Sequence, residues 1–513
     1  MISDSIKILW ADDEIDLLKS HVIFLEEKGF NISTVSSGEE AVDLFRQNKY
    51  NLVLLDEMMA GIDGIETLKK IKKINPLIPI VMVTKNEQEW LMDEAIASEI
   101  SDYLIKPVNP NQIFLSCKKI LSSDKIQSDR IVKDFLDNYN LIKDEINCID
   151  NLSDWMDMID NVIDWELRLE KINADSILYF LEDLKKELNK NFTYFIENSY
   201  SDLIQTKYFP NSILDQHIKP IIDRGEKVAL IVLDCLRYDQ GKVIIESLFE
   251  KFNVSIKPSL SFLPTTTEYS RNSIFSGLLP NQIKEYFPDQ WDDMNNDESK
   301  LNKYENIFLE RYCTDNFNTK VALYYDKIVE MEHGHRLKEK IKDYRNIDLI
   351  SIVVNFIDIL GHASVKSKAV KEMISNESAY RLEVKNWFEK SWLYEVLMEF
   401  KENNRKVIIT SDHGTTLVKS PSIIKADKNT SSGLRYKKGR NLNVNSKEGI
   451  TLKNPSDYYL PKSSDGENYI IAKSDSFFVY PNDYNYYKKT FENTYQHGGL
   501  SIDEMVIPII ELK

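Results

Sequence analysis

The chain has few cysteines and comparatively few basic residues. Its four cysteines lie far apart and include no CxxC pair, which disfavours a disulfide framework and a thiolate zinc site. The formal net charge is −17, from 82 acidic against 65 basic residues. That balance disfavours a sequence-independent grip on nucleic acid backbones, which needs basic patches.

Long apolar runs are also missing. No segment reaches the length of about eighteen apolar residues that a membrane-spanning helix needs, so we expect no membrane insertion. The first residues, MISDSIKILWADDE, are acidic and contain no apolar signal-peptide region. A length of 513 residues with 42% hydrophobic content predicts a globular protein of two to four domains, and we expect it in the reducing cytoplasm.

Glycine is absent from residues 65–224, and much of this interval has helical periodicity. Apolar residues recur at three- and four-residue steps over 131–167 and 176–196, which predicts amphipathic helices. We expect a helical linker or bundle over residues 123–209. Its helices could also carry a phosphorylation-dependent homodimer contact, and spacing does not separate the two roles. We interpret its two tryptophans as core anchors: Trp155 and Trp165.

The first 120 residues alternate apolar with amphipathic segments, and the apolar segments end at polar side chains. Such alternation predicts a parallel sheet with a site at the carboxyl ends of its strands. The side chains at those ends are Asp12, Asp13, Asp56, Thr84 and Lys106. The three carboxylates form an oxygen-only site suited to Mg²⁺, and without a cation they would raise one another's pKa.

These motifs resemble a response-regulator receiver domain, here residues 1–122, with a flavodoxin-like doubly wound sheet. The resemblance implies that Asp56 accepts phosphate from a sensor histidine kinase and that the carbonyl of Met58 is a backbone magnesium ligand. The switch residues that it implies are Thr84, Tyr103 and Lys106. Ala60 stands where the family usually has proline, which removes no chemical group. The alternative is that Asp12 and Asp13 are merely solvated acids at a strand end.

Residues 210–513 repeat the pattern on a larger scale and predict a second, mostly parallel α/β sheet. One apolar strand (KVALIVLD) stops at Asp234, a second (NIDLISIVVNFID) stops at Asp358 with His362 four residues later, and a third (RKVIITSDH) stops at Asp412 and His413. His497, in TYQHGG, precedes the last apolar segment. We expect all six side chains at strand ends or turns around one crevice.

Histidine and carboxylate ligands suit Zn²⁺, and also Mn²⁺ or Fe²⁺. Six ligands are too many for one tetrahedral zinc and fit two. Two metals about 4 Å apart can support the attacking and leaving oxygens of a displacement at phosphorus. Two dications carry four positive charges and the three aspartates carry three negative ones. The one positive charge in excess favours a threonine alkoxide or a singly charged phosphodiester.

The segment FLPTTTEYSRNSIFSGLLP supplies candidate hydroxyls. With the ligand motifs, it resembles the PglZ branch of the alkaline phosphatase superfamily, and it lacks the CxPxR signature of sulfatases. By similarity to the nucleotide pyrophosphatase/phosphodiesterase members, the nucleophile is Thr267, with Thr266 as second choice. The resemblance implies one zinc on Asp234, Thr267, Asp412 and His413, and another on Asp358, His362 and His497.

A basic segment interrupts this domain over residues 419–468, with six lysines and arginines between Lys425 and Arg440. We interpret it either as a lid that attracts an anionic substrate or as a solvated loop. His333 and His335 lie off the family pattern and are interpreted as surface-loop or substrate-side groups. The two remaining histidines are interpreted as structural: His21 and His217.

The order of receiver, helices and PglZ-type domain resembles the PorX-type regulators associated with type IX secretion. The resemblance implies a response regulator whose phosphorylation controls a zinc-dependent phosphodiesterase acting on cyclic or linear oligonucleotides. Two alternatives stay open: a phosphomonoesterase, and a phosphorylation-controlled interaction scaffold with structural zinc. A secretion-system or transcription-machinery protein is a further expected partner.

Overall fold

The structure is a computed structural model that describes residues 6–76, 78–85, 100–174, 177–295, 300–425, 431, 433–461 and 467–513. The chain folds into two compact units, Met1–Asp137 and Asn138–Lys513. Within the described ranges, no helix combines the length and the apolar character needed to cross a bilayer.

The first unit contains a five-stranded parallel sheet with the order β2-β1-β3-β4-β5. Its strands are β1 (Lys7–Ala11), β2 (Asn31–Val35), β3 (Leu52–Asp56), β4 (Ile80–Thr84) and β5 (Asp102–Ile105). Its helices are Lys19–Glu27, Gly38–Gln47, Gly64–Ile74 and the first part of Pro110–Ile146. Separate apolar clusters cover the two faces of the sheet, which confirms the doubly wound fold predicted from the alternating pattern.

Two side chains cap the N-termini of helices in this unit. Ser37 accepts a hydrogen bond from the backbone of Glu40, and Asp63 accepts one from Glu66. Each satisfies a backbone N–H that has no partner within its helix. These caps orient the helices that follow β2 and β3.

The middle of the chain is helical, as its periodicity predicts. The helix Pro110–Ile146 continues without a break through residue 122, and the helices Leu152–Lys171 and Leu178–Leu203 follow it. Trp155 is buried, and its ring lies 5.7 Å from that of Phe192. The core role predicted for Trp155 is therefore confirmed.

The second unit is built on a six-stranded sheet with the order β7-β18-β10-β6-β9-β8. The strands β10, β6, β9 and β8 are parallel, whereas β18 and β7 are antiparallel to their neighbours. The bounds of these strands are β6 (Val228–Leu233), β7 (Val254–Leu260), β8 (Leu323–Ile328), β9 (Leu349–Val354), β10 (Lys406–Thr410) and β18 (Val506–Leu512).

Helices surround this sheet. They are Lys219–Asp223, Tyr238–Ile245, Thr267–Ser276, Pro280–Tyr286, Pro288–Asn295, Glu305–Asn316, Met331–Lys340, Phe356–Lys366, Lys368–Met373, Glu377–Lys390, Trp392–Glu402, Tyr484–Phe491 and Ile502–Met505. Because the parallel strands end at one edge, the loops and helices that follow them meet there.

The basic segment 419–468 folds into small sheets where the structure describes it. A three-stranded sheet has the order β13-β15-β14, and β12 pairs with β16, which follows the segment. On either side of the segment, β11 pairs with β17. Their bounds are β11 (Thr416–Val418), β12 (Ser420–Ile423), β13 (Tyr436–Arg440), β14 (Gly449–Leu452), β15 (Glu467–Ala472), β16 (Ser476–Val479) and β17 (Thr494–Gln496).

Candidate functional site

Two adjacent parallel strands of the second sheet bring the first three predicted ligands together. Asp234 follows β6, and Asp412 and His413 follow β10, which pairs with β6 in register. The ligand atoms of these three side chains all lie within 4.8 Å of one another. The geometry expected at the carboxyl ends of neighbouring strands is therefore present here.

The other three predicted ligands also converge, by a different route. The strand β9 ends at Val354, so Asp358 lies in the helix Phe356–Lys366 rather than at the expected strand end. His362 is one helical turn farther on the same face, and its Nε2 lies 3.2 Å from Oδ1 of Asp358. His497 follows β17, and these three residues offer ligand atoms within 4.8 Å of one another.

The two groups of three are neighbours. The imidazole rings of His413 and His497 stack with centroids 4.4 Å apart. Thr267 is the first residue of the helix Thr267–Ser276, and its hydroxyl oxygen lies 3.0 Å from Nε2 of His413. The preceding Thr266 is buried, and its hydroxyl has no hydrogen-bond partner among the described residues.

In two of the histidines, a hydrogen bond from Nδ1 leaves Nε2 able to bind a cation. Nδ1 of His413 donates to the carbonyl of Gly414 at 3.1 Å, and Nδ1 of His497 donates to the carbonyl of Thr265 at 3.3 Å. Each Nε2 therefore keeps its lone pair. Burial lowers the pKa of His413, and burial together with the nearby His413 lowers the pKa of His497 to about 3. Both rings are neutral near pH 7.

Asp234 and Asp412 each leave one buried carboxylate oxygen without a hydrogen bond within the described part of the chain. Oδ1 of Asp234 and Oδ2 of Asp412 are buried without a hydrogen bond to any described residue. Burial and then repulsion from Asp412 raise the pKa of Asp234 to about 7, and burial raises the pKa of Asp412. Buried polar atoms are normally satisfied. A pair of divalent cations would satisfy these oxygens, so the residues fit a two-metal centre.

Asp358 behaves differently from the other two aspartates. Burial opposes its ionisation, but the hydrogen bond from His362 and the nearby His497 and His413 hold its pKa below its ordinary value. The same hydrogen bond raises the pKa of His362. Asp358 and His362 are thus hydrogen-bonded to each other, and any proton on Nε2 of His362 must leave before that nitrogen can bind a cation.

Sequence reasoning missed Arg271, which supports the first group. Its Nη1 donates to Oδ2 of Asp234 at 2.6 Å, and its Nε donates to Oε1 of Glu305 at 2.5 Å. Arg271 lies four residues after Thr267 in the same helix, so the two share a helical face. The four-residue spacing from Thr267 could therefore have identified Arg271 in the sequence as a residue near the site.

Two further residues near the site also escaped the sequence reasoning. Asn355 donates to Oδ2 of Asp234 at 2.7 Å. Cys235 has a positive φ of 68°, and its buried thiol lies 3.3 Å from Oδ1 of Asp358. Residues other than glycine seldom adopt the left-handed backbone region. The spacing of residues in the sequence does not indicate where one will do so.

The first unit also brings its predicted residues together. Asp12, Asp13 and Asp56 offer carboxylate oxygens within 4.8 Å of one another. Nζ of Lys106 lies 2.8 Å from Oδ2 of Asp12 and 2.8 Å from Oδ2 of Asp56. Burial raises the pKa of Asp56 although the hydrogen bond from Lys106 opposes this. Three carboxylates gathered in this way offer the oxygen ligands that suit Mg²⁺.

The other predicted receiver residues, Thr84, Tyr103 and Met58, differ in their contacts and exposure. The hydroxyl of Thr84 donates to Glu57 rather than toward Asp56. Tyr103 is half-buried, and the side chain of Met58 is 65% exposed. The predicted Mg²⁺ ligand is the backbone carbonyl of Met58, so the exposure of its side chain does not bear on that prediction.

Part of the basic segment is structural. Arg435 is fully buried and donates to both carboxylate oxygens of Glu504. Lys437 is also buried and donates to the carbonyl of Ser431. Neither cation faces solvent, so for these two residues both interpretations, a substrate-attracting lid and a solvated loop, are wrong. Lys428 lies outside the described residues.

Four histidines lie away from the two groups. His333 lies in the first turn of the helix Met331–Lys340, not in the expected loop, and its Nε2 lies 3.1 Å from Oδ2 of Asp326. His335, in the same helix, is exposed. His21 contacts the carbonyl of Val108, and His217 contacts Glu511.

Three family models match the chain in succession. Residues 8–118 match the response regulator receiver domain, residues 125–204 match the PorX response regulator linker domain, and residues 213–512 match the BREX system PglZ alkaline phosphatase-like domain. The last match covers more than half of the chain.

Similarity to individual proteins lies in a smaller part of the chain. The transcriptional regulatory protein SrrA of Staphylococcus aureus (strain NCTC 8325 / PS 47) is 29% identical over 135 residues, which are 26% of this chain and 56% of that protein. The chain thus spans about half the length of this curated relative.

Solved structures show similarity over a comparable share. A two-component response regulator from Clostridium difficile is 35% identical, with 23% of this chain and 95% of that chain covered and a TM-score of 0.22. A receiver domain protein from Methanospirillum hungatei is 25% identical, with 24% and 98% covered and a TM-score of 0.23. The chain belongs to the PglZ alkaline phosphatase-like family and has the PorX-type order of receiver, linker and PglZ domains.

Proposed function

We propose that this response regulator carries a zinc-dependent phosphodiesterase in residues 213–512, controlled by phosphorylation of Asp56. The observation that supports this most strongly is the convergence of two three-residue ligand groups beside the Thr267 hydroxyl. The unsatisfied buried oxygens of Asp234 and Asp412, together with the neutral rings of His413 and His497, are donor types that suit zinc.

In the proposed centre, each group holds one cation. Asp234, Asp412, His413 and the Thr267 hydroxyl would hold the first, and Asp358, His362 and His497 would hold the second. When bound, zinc supplies Lewis-acid polarisation of phosphate oxygens and lowers the pKa of a nearby hydroxyl. Mn²⁺ or Fe²⁺ would suit the same ligand types.

Thr267 is the proposed nucleophile. Its Oγ1 attacks phosphorus and forms a new P–O bond, its proton passes to solvent, and the bond to the departing alkoxide breaks. The alkoxide takes up a proton and leaves as an alcohol, and water then hydrolyses the threonine phosphoester. Because Thr267 begins a ten-residue helix, the positive end of the helix dipole favours the anionic phosphoryl group there.

The proposed substrates are nucleotide phosphodiesters, including cyclic or linear oligonucleotides. With both cations bound, three aspartates leave one positive charge in excess, which matches the single negative charge of a diester better than the double charge of a monoester. Thr266 is the second candidate for the nucleophile, and its unpartnered hydroxyl supports testing it.

In the receiver, Asp12, Asp13, Asp56 and the carbonyl of Met58 are the proposed Mg²⁺ ligands. A sensor histidine kinase is the proposed phosphodonor, with Thr84, Tyr103 and Lys106 as switch residues. The match to the PorX linker supports two further proposals, a phosphorylation-dependent homodimer contact in the helical region and a link to type IX secretion. A transcription-machinery protein is a second proposed partner.

The decisive experiment combines elemental analysis of the purified chain with hydrolysis of bis- and mono-nitrophenyl phosphate, before and after chelation. We expect two zinc ions per chain, chelator-sensitive turnover and a strong preference for the diester. Preference for the monoester would favour a phosphomonoesterase. Bound zinc without turnover of either compound would favour an interaction scaffold with structural metal.

A further inference from the structure

Lys327 lies near the carboxyl end of β8, the edge strand of the larger sheet. Its side chain is half-buried, and among the described residues its ammonium makes no hydrogen bond and no ion pair. Buried cations near the ligand groups are paired instead, as Arg271 is with Asp234 and Glu305. A half-buried lysine without a counter-ion is costly unless an anion joins it.

The strand directs Lys327 toward the candidate metal centre. Alternate residues of a strand share a face, so Lys327 shares its face with Tyr325. The Tyr325 hydroxyl donates to Glu305, and its ring meets that of Phe275 at 5.5 Å. Phe275 belongs to the helix that begins at Thr267. The intervening Asp326 lies on the opposite face, where it contacts His333.

The register of the sheet places Lys327 close to the row of ligands. Lys327 pairs with Val353 on β9, and Val353 pairs with Val232 on β6. Val232 is two residues before Asp234 and lies on the same face. Lys327 thus lies on the active-site side of the sheet, about two residues short of the level of the carboxylates.

The electrostatic surroundings agree with this placement. Burial lowers the pKa of Lys327, while attraction to Glu305, Asp234 and Asp412 and repulsion from Arg271 act on it at longer range. When cations occupy the ligand groups, the charges of Asp234 and Asp412 are neutralised. The ammonium then lies in a more positive field, which an anionic substrate relieves.

We propose that Lys327 is a substrate-positioning residue whose ammonium binds an anionic phosphate oxygen of the substrate at the Thr267 site. This inference rests on the proposed function, because it names the anion anchor of that same site. A charge-assisted hydrogen bond of this kind acts mainly on substrate binding, and it needs no contact between Lys327 and the metal ligands.

The test uses the zinc-loaded full chain and compares Lys327→Met with Lys327→Arg, and with Lys320→Met as an exposed control just before the same strand. We expect Lys327→Met to raise KM for bis-nitrophenyl phosphate and the inhibition constant of inorganic phosphate about tenfold. We expect a smaller change in kcat and an unchanged zinc content. Lys327→Arg should keep most of the binding, and Lys320→Met should behave as the unmodified chain.

Unchanged KM and phosphate inhibition in Lys327→Met, with normal zinc content, would overturn the inference. If Lys327→Met does not fold, Lys327→Gln serves in its place, with the salt dependence of KM as the readout; equal salt slopes for this variant and the unmodified chain would also overturn it. Failure of the proposed function is distinguishable, because the zinc-loaded unmodified chain would then not hydrolyse the diester. Calorimetric titration with inorganic phosphate would still measure the anion site.

Discussion

The hydroxyl oxygen of Thr267 lies 3.0 Å from Nε2 of His413, the nitrogen that remains free to bind a cation because Nδ1 donates to a backbone carbonyl. The candidate nucleophile and a candidate metal ligand are therefore within hydrogen-bond distance of each other. The hydroxyl of Thr266 makes no comparable contact. This difference between adjacent threonines makes the chemistry of the site testable by single substitutions.

We expect Thr267→Ala to reduce diesterase activity by about a thousandfold or more, because no other hydroxyl at this position can form the covalent intermediate. Thr267→Ser should retain part of the activity. Thr266→Ala is the matched control and should retain most of it. Steady-state rates together with zinc content measure this. Full activity in Thr267→Ala with loss in Thr266→Ala would assign the nucleophile to Thr266.

We expect Asp56→Asn to abolish phosphorylation by acetyl phosphate, since the amide cannot form an acyl phosphate. The substitution keeps the shape of the side chain, so the fold should persist. Intact-mass spectrometry after incubation with acetyl phosphate and Mg²⁺ measures this. The exposed Asp43→Asn is the control, and phosphorylation of Asp56→Asn to the same extent would place the acceptor elsewhere.

We expect the apparent affinity for zinc to rise with pH up to about 7, because Asp234, with its pKa raised to about 7, must release a proton before it binds a cation. Below that pH, each proton released makes the affinity rise about tenfold per pH unit. His362, with its raised pKa, releases a further proton. His413 and His497 are neutral near pH 7 and contribute little there.

Chelator-competition titrations across this pH range give the affinity. Calorimetry in buffers of different ionisation enthalpy counts the released protons. An affinity that does not change between about pH 5 and about pH 7 would show that these carboxylates are already ionised without metal.

We expect Arg271→Met to lower the free energy of unfolding of the metal-free chain by about 3–5 kcal/mol, because it leaves Asp234 and Glu305 buried without their cation. The loss should be smaller when zinc is bound, since the metal then neutralises Asp234. Urea unfolding with and without zinc measures both values. Arg311→Met removes an exposed ion pair with Asp315 and should cost about 1 kcal/mol or less. An equal loss of unfolding free energy in both variants would show that Arg271 does not stabilise the buried carboxylates of Asp234 and Glu305.

Much of the fold could be predicted from the sequence because its signals are local. Apolar segments that end in Asp12, Asp56, Asp234 and Asp412 are strands, and parallel strands end together at one edge of a sheet. The pairing of β6 with β10 follows that expectation. The periodicity over residues 176–196 likewise corresponds to the helix Leu178–Leu203.

Asp358 shows where this reasoning is limited. A mostly apolar run, interrupted by Ser351 and Asn355, leads up to it, so the sequence placed it at a strand end. The structure instead ends β9 at Val354 and begins a helix at Phe356. Apolar residues continue across both elements because the strand and the first helical turn are both buried. Hydrophobicity alone does not mark the boundary between them.

Arg435 shows a second limit. A basic residue inside a basic segment indicates a solvated surface, yet its partner Glu504 is 69 residues away and the pair is fully buried. Lys327 is the opposite case, because nothing in its sequence context indicates that it lies on the face of the sheet that carries the ligands.

By itself, the sequence determined that strands stop at or just before Asp12, Asp56, Asp234 and Asp412, and that the residue types of the two sites suit magnesium in the first unit and zinc in the second. Periodicity and residue chemistry are local properties, which is why they can be seen in the sequence. Only the tertiary structure decided which of these side chains meet, which cations are paired, and that the Thr267 hydroxyl adjoins His413. Those relationships depend on strand order and packing between segments far apart in the chain, which local patterns do not encode.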